Sequence, residues 1–172
     1  ALSRTDALTP LRFRRLIEKF GSAERVFYAS RSDIGGTGIP EEVAAKIIAA
    51  RHTVDPDAEL ARLRRAGIDA VPLTDPEYPS LLREIHDPPP VLYLRGKLNP
   101  QLPTVAVVGT RAPSPYGARA TEDFAAVLAR AGVVVVSGLA LGVDAIAHAA
   151  AVQSHGSTAA VLGSGVDIIA PT

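Results

Sequence analysis

Residues 104–109, TVAVVG, form an apolar run that closes on a glycine. Such a run, without polar alternation, is typical of a strand buried on both faces of a parallel sheet. The chain continues with a predicted helix over about 116–131, a strand over 133–136, a helix over about 143–152 and a strand over 159–162. Strand and helix alternate with short connections, and this pattern predicts an α/β fold with a doubly wound parallel sheet.

The chain before this run has a different pattern, with short helices first. Thr9 followed by Pro10 is a typical helix start, and more helices are predicted after Ser22, over about 40–52 and over about 56–66. Two short strands, over 68–73 and 91–95, flank a proline-rich stretch, residues 87–90. We therefore predict a small helical domain over 1–67, followed by the α/β domain over 68–172.

Composition narrows the function classes. The 172 residues include 18 Lys and Arg against 18 Asp and Glu, and a net charge of zero argues against a broad basic face for duplex DNA. The charge is uneven, because residues 1–31 hold seven basic and three acidic residues, a net of +4. Cysteine is absent, which excludes disulfides, thiolate metal sites and a cysteine nucleophile. No apolar run approaches 18 residues, so we expect no membrane span.

Three glycine-rich loops follow the predicted parallel strands, over 109–117, 137–144 and 163–167. In such sheets, ligands bind beyond the carboxyl ends of the strands. Glycine lets the backbone approach a ligand closely, and the free amides at a helix N-terminus favour an anion. Arg111 in the first loop adds a planar guanidinium suited to phosphate. The loops predict a phosphate-bearing ligand.

Two common nucleotide-binding motifs are missing. Gly-x-Gly-x-x-Gly does not follow the strand, and Gly-x-x-x-x-Gly-Lys-Ser/Thr occurs nowhere, with no lysine after Lys97. A dinucleotide fingerprint and a P-loop are thereby excluded. No His, Asp or Glu cluster has the spacing of metal ligands, and we predict neither a metal nor a cofactor.

Two further features have alternative interpretations. Asp144 and His148 are four residues apart on a predicted helix and could act as an acid/base pair; we favour structural support, with the aspartate capping the helix and the histidine bonded to a neighbouring loop. Residues 34–39, IGGTGI, resemble a helix-hairpin-helix turn that grips DNA phosphate. Because Glu41 and Glu42 follow and would repel phosphate, we favour a structural turn or a protein contact.

An ordered series of motifs spans nearly the whole chain and resembles the DNA-processing protein A (DprA, also called Smf) family. The motifs are DPEYP at 75–79, DPPPVLYLRG at 87–96, VVGTR at 107–111, SGLALGVD at 137–144, GST at 156–158, VLG at 161–163 and GVD at 165–167.

The resemblance implies a sterile-alpha-motif-like helical domain followed by an extended Rossmann-like domain. It implies a cytoplasmic protein that binds single-stranded DNA, forms homodimers, helps load RecA recombinase during natural transformation, and is not an enzyme. Family members continue beyond Thr172, and we expect this chain to be truncated within the Rossmann-like domain. The expected DNA-phosphate contacts, with Arg111 the main charged one, are Gly109, Thr110, Arg111, Ser114, Tyr116, Gly117, Ser137, Gly138, Ala140, Gly142, Gly163 and Gly165.

Two alternatives stay open. One is a nucleotide-phosphate hydrolase on the same fold, with Asp144 or Glu122 as the acid/base group, although the Pro-Gly-Gly-x-Gly-Thr-x-x-Glu loop of such enzymes is absent. The other is a structural or protein-docking fragment whose parent protein binds DNA elsewhere.

Overall fold

The computed structural model describes residue 2, residue 5 and residues 8–168. The chain divides into two compact units, Ala1–Gly96 and Lys97–Thr172. The two short strands belong to the same unit as the helices. The Ile68 amide, just before the first strand, donates to the Leu63 carbonyl at 2.9 Å. The predicted domain boundary at residue 67 stays a prediction. The last residues of the predicted α/β domain, 169–172, lie outside the described part of the chain.

The first unit begins with five helices, which the sequence largely anticipates. The Thr9 side chain caps the first helix by accepting from the Arg12 amide at 3.4 Å, and Gly21 ends it with a φ of 82°. One five-residue helix escaped prediction, since it is too short to show a periodic pattern. The helices are α1 Pro10–Phe20, α2 Ala23–Tyr28, α3 Arg31–Gly35, α4 Glu41–Thr53 and α5 Pro56–Arg65.

Apolar side chains from α1 to α4 form the core of this unit. Those of Leu16, Val26, Ile34, Val43 and Ile47 are completely buried. Each helix therefore contributes one face to a shared core, which accounts for short helices that would be marginal in isolation.

An antiparallel strand pair completes the first unit. β1 Asp69–Pro72 pairs with β2 Val91–Leu94, and a one-turn helix, α6 Ser80–Arg83, lies between them along the chain. The buried Tyr78 hydroxyl donates to the Pro89 carbonyl at 2.9 Å. This bond links the DPEYP motif to the proline-rich stretch.

The second unit is a parallel sheet with two helices. Its strands are β3 Thr104–Ala106, β4 Val134–Ser137 and β5 Thr158–Ala160, in the order β3-β4-β5. α7 Pro115–Arg130 connects the first two strands, and α8 Val143–Gln153 connects the last two. The predicted α/β alternation is confirmed.

Small side chains allow α7 and α8 to pack tightly against each other and against β4. The core of this unit consists of Ala125, Ala129, Val135, Ala147, Ala150 and Ala151. These two helices are the only ones between residues 97 and 168, and they share this one core, whereas a doubly wound sheet carries helices on both faces. The parallel sheet is thus shown, but its double winding is not. No helix in the described part of the chain is both long and apolar enough to cross a membrane.

The environment of β3 contradicts the prediction of a strand buried on both faces. All three of its residues are exposed, and within the described residues it pairs only with β4. Val108, just beyond the strand, is 72% exposed. The apolar composition of a strand indicates that its burial by other residues is favourable. Composition does not specify which residues bury it.

Candidate functional site

The three glycine-rich loops lie at one edge of the sheet. β3, β4 and β5 run parallel, and each predicted loop follows the carboxyl end of its strand. The β4–β5 pairing extends beyond the strands, because the Val161 amide donates to the Ser137 carbonyl at 2.8 Å. The sheet therefore brings together the loops that the sequence singled out.

Side-chain hydroxyls shape the first loop. Thr110 Oγ1 accepts from the Ala112 amide at 3.2 Å, and Ser114 Oγ accepts from the Gly117 amide at 3.1 Å, capping α7. Arg111 is exposed and has no hydrogen bond or ion pair with any described residue. Its guanidinium is therefore available to a ligand, whereas the Ser114 hydroxyl already serves the helix. Tyr116, in the first turn of α7, is 83% exposed.

The first and second loops are packed directly on each other. The Val143 amide, at the start of α8, donates to the Thr110 carbonyl at 3.1 Å. A Cβ on Gly109 would lie 2.8 Å from Cγ2 of Val143, and a Cβ on Gly142 would overlap the Thr110 carbonyl. Gly142 also has a φ of 84°. A side chain at Gly142 has no room against the backbone of the first loop, and one at Gly109 has no room against the Val143 side chain.

Two predicted contacts in the second loop are engaged within the protein. Ser137 is buried, and its hydroxyl donates to the Val107 carbonyl at 2.6 Å, which ties β4 to the end of β3. The Gly138 amide donates to Oδ2 of Asp144 at 3.0 Å. These two groups hold the loop in place and are not free to bind phosphate.

The rest of the second loop offers unpaired backbone amides. The N–H groups of residues 139–142 donate to no described residue, and they directly precede α8. Leu139 has a φ of 55°, which is uncommon for a residue with a side chain. Unpaired amides at a helix N-terminus favour an anion. Sequence analysis included Ala140 and Gly142 but missed Leu139 and Leu141, because a backbone donor leaves no signature in the residue type.

Asp144 and His148 are buried behind this loop. The prediction that Asp144 caps α8 is wrong, since its carboxylate accepts from Gly138 and the cap position belongs to Gly142. His148 Nδ1 is 2.7 Å from Oγ1 of Thr158 on β5. Thr158 donates its own proton to a carbonyl, that of Val135, at 2.7 Å, so the Nδ1 atom carries a hydrogen.

Burial governs the acid–base behaviour of His148. Desolvation lowers the pKa of the ring below its ordinary 6.5, although the Asp144 carboxylate and the Ser137 backbone act in the opposite direction. Nε2 is buried and has no hydrogen-bond partner among the described residues. The neutral ring is therefore the favoured form, and its visible contacts are structural.

The third loop is less suited to an anion. A Cβ on Gly165 would meet a carboxylate oxygen of Asp167, which shows that this negative charge lies against the loop. Gly163 is exposed and has open space around its Cα. The electrostatic environment therefore favours phosphate at the first loop, which holds Arg111, over the third, which holds no cation.

The glycine-rich turn of the first unit is closed to phosphate. The Thr37 and Gly38 amides donate to carbonyls within the turn, each at 3.1 Å. Arg31 pairs with Glu41 at the start of α4. With these amides engaged and carboxylates beside them, the turn is poorly suited to phosphate, and its role as a structural turn or a protein contact stays a prediction.

The family of this chain can now be stated. The family model of DNA recombination-mediator protein A matches residues 69–172. The chain belongs to this family.

Relatives with similar sequences carry the same family names. A Smf protein from Synechocystis is 37% identical over 99% of this chain, which spans 44% of that relative's length. The DNA processing protein DprA of Bacillus subtilis is 37% identical over 65% of the chain and 38% of its own length. The chain thus spans less than half the length of these curated relatives.

Two solved structures resemble the fold. DprA from Streptococcus pneumoniae superposes with a TM-score of 0.80 at 31% identity, covering 99% of this chain and 58% of the other. DprA from Helicobacter pylori has a TM-score of 0.53 at 34% identity, covering 61% and 46%. The Helicobacter structure describes a single-stranded DNA binding mode of that protein.

Proposed function

We propose that this chain binds single-stranded DNA by its backbone phosphates at the loop edge of the parallel sheet. The observation that carries the proposal is the packed pair of loops, in which the unpaired amides of residues 139–142 lie beside the loop that holds Arg111. The single-stranded DNA binding mode described for the Helicobacter relative supports the choice of ligand.

Phosphate contacts of this kind read little sequence. Backbone amides and one guanidinium recognise the charge and geometry of phosphate, which are the same at every nucleotide. The second unit has few aromatic side chains for base stacking; Tyr116 and Phe124 are the exposed Tyr and Phe rings among its described residues. We therefore expect weak sequence preference and a preference for single strands over duplex, which usually requires a broader basic surface.

The wider role is that of the whole protein, and the chain spans less than half the length of its curated relatives. We propose that it acts as a cytoplasmic homodimer, that it helps load RecA onto single-stranded DNA during recombination and natural transformation, and that its helices form a sterile-alpha-motif-like domain. Family membership and the Helicobacter relative support the DNA-binding part of this proposal.

We also propose that the chain is not an enzyme. Asp144 is buried and already accepts from Gly138, so it is poorly placed as an acid/base group. Glu122 lines a groove with Gln153 and Ser154, at the opposite end of α8 from the loop edge. Release of free base from nucleoside monophosphates, lost in Asp144→Asn or Glu122→Gln, would contradict this proposal.

The test is fluorescence anisotropy of labelled oligo-dT titrated with the chain at several salt concentrations. The slope of log K against log salt is negative, and removing one phosphate contact reduces its magnitude by about 0.7 for a single strand. We expect that change from Arg111→Ala. Arg130→Ala is the matched control, because Arg130 ends α7 far from the loop edge. Equal effects of the two variants would refute the assignment of the site.

A further inference from the structure

The first unit has an exposed basic and aromatic surface that the proposed function does not use. We call it the α1–α2 face; it comprises Arg15 and Lys19 on α1, and Arg25 and Tyr28 on α2. All four side chains are exposed. None of the three cations forms an ion pair with a described residue.

The packing of α1 fixes where its cations lie. Phe13 and Leu16 are buried in the core, which turns Arg15 and Lys19, one helical turn apart, toward solvent. A nitrogen of the Arg15 guanidinium lies 3.6 Å from the position that a Cβ on Gly38 would take, so the charge rests beside the α3–α4 turn. Neither cation lies within ion-pair distance of a described carboxylate, and unpaired cations attract an anion more strongly than paired ones do.

The packing of α2 adds an aromatic ring. Arg25 and Tyr28 are three residues apart and share a side of the helix. Tyr28 is 69% exposed, and its ring meets the buried Phe27 edge-on with centroids 5.3 Å apart. Phe27 therefore supports the ring while leaving much of its surface to solvent.

We propose that the α1–α2 face is a second contact surface for single-stranded nucleic acid. Cations that bind phosphates, combined with an exposed ring on which a base can stack, are used for single strands, and Arg25 lies one helical turn from the Tyr28 ring. An acidic protein segment would use the cations but gain less from the ring. The charge distribution agrees, because residues 1–31 carry seven basic and three acidic residues in a chain of zero net charge. This surface stands or falls separately from the loop edge.

The test separates phosphate contacts from stacking. Arg15→Gln with Lys19→Gln removes two cations and keeps good helix formers. Loss of two phosphate contacts reduces the magnitude of the slope of log K against log salt by about 1.4. It lowers the affinity for oligo-dT by up to about 25-fold at 0.1 M salt. Tyr28→Ser lowers the affinity about fivefold or more at an unchanged slope, while Tyr28→Phe retains it.

The matched control is Arg64→Gln with Arg65→Gln, which removes the same charge from exposed positions of α5 in the same unit. Circular dichroism checks that each variant is folded. An unchanged salt slope in the α1 variant would overturn the inference, and so would a slope change that the control reproduces. Displacement of oligo-dT by poly-glutamate as effective as that by poly-dT would instead indicate an acidic protein partner and overturn it too.

The same titrations with Arg111→Ala keep the two proposals apart. Weaker binding from the α1 variant but not from Arg111→Ala would support the α1–α2 face and refute the loop edge. The reverse result would refute the α1–α2 face alone. An unmodified chain that does not bind oligo-dT would refute both.

Discussion

Replacing Gly142 by alanine tests whether the two phosphate-binding loops depend on their close packing. Gly142 has a φ of 84° and a ψ of −129°, a conformation that residues with a side chain rarely adopt. The new Cβ would also overlap the Thr110 carbonyl and the Arg111 backbone, which are main-chain atoms and cannot rotate away. The substitution therefore combines backbone strain with steric overlap.

The two costs can be separated with a matched glycine. Gly132 has a φ of 78°, but a Cβ there would meet nothing within 4 Å. Gly132→Ala should thus cost only the strain of a left-handed residue, about 1–2 kcal/mol. Gly142→Ala adds an overpacking cost of about 1–3 kcal/mol to strain of about 1–3 kcal/mol, and we expect a total of about 2–6 kcal/mol.

Urea unfolding followed by far-ultraviolet circular dichroism measures both costs, and anisotropy with oligo-dT measures binding. We expect Gly142→Ala to be the less stable variant and to lose affinity, because relief of the overlap separates the Thr110 carbonyl from the start of α8. Gly132→Ala should retain its affinity. Equal destabilisation by the two variants, or full affinity in Gly142→Ala, would refute the idea that close packing of the loops builds the site.

Three further predictions concern single side chains. Burial lowers the pKa of His148 below 6.5 and keeps the ring neutral. Folding stability should therefore fall as the pH drops below about 6.5, where the unfolded chain binds a proton that the folded chain does not. A pH series of urea midpoints should show a smaller decline in His148→Gln. Ser114→Asp retains the cap of α7, so its melting temperature should stay near that of the parent while its oligo-dT affinity falls; an unchanged affinity would place this loop outside the site. Tyr78→Phe removes the bond to Pro89 and should cost about 1 kcal/mol in urea unfolding, and no loss would show that the bond contributes nothing net.

The elements that sequence predicted well are those that local chemistry determines. α1 has its cap at Thr9 and its end at Gly21, and both act within one turn of the helix. The alternation of apolar strands and helices after residue 103 determined the parallel sheet, and parallel topology alone brings the loops to one edge. The prediction failed at β3, because burial depends on neighbours from elsewhere in the chain.

Within the site, sequence identified the loops but not the state of their atoms. Ser137 and Gly138 look like phosphate contacts from their residue types, yet the fold directs the first to Val107 and the second to Asp144. The amides of residues 139–142 stay unpaired for the same reason, since strand pairing and the position of α8 decide which donors find partners. Sequence by itself determined the glycines, the hydroxyls and Arg111. Only the tertiary structure decided which of these groups are available to a ligand, because hydrogen bonding between distant segments engages some donors and leaves others unpaired.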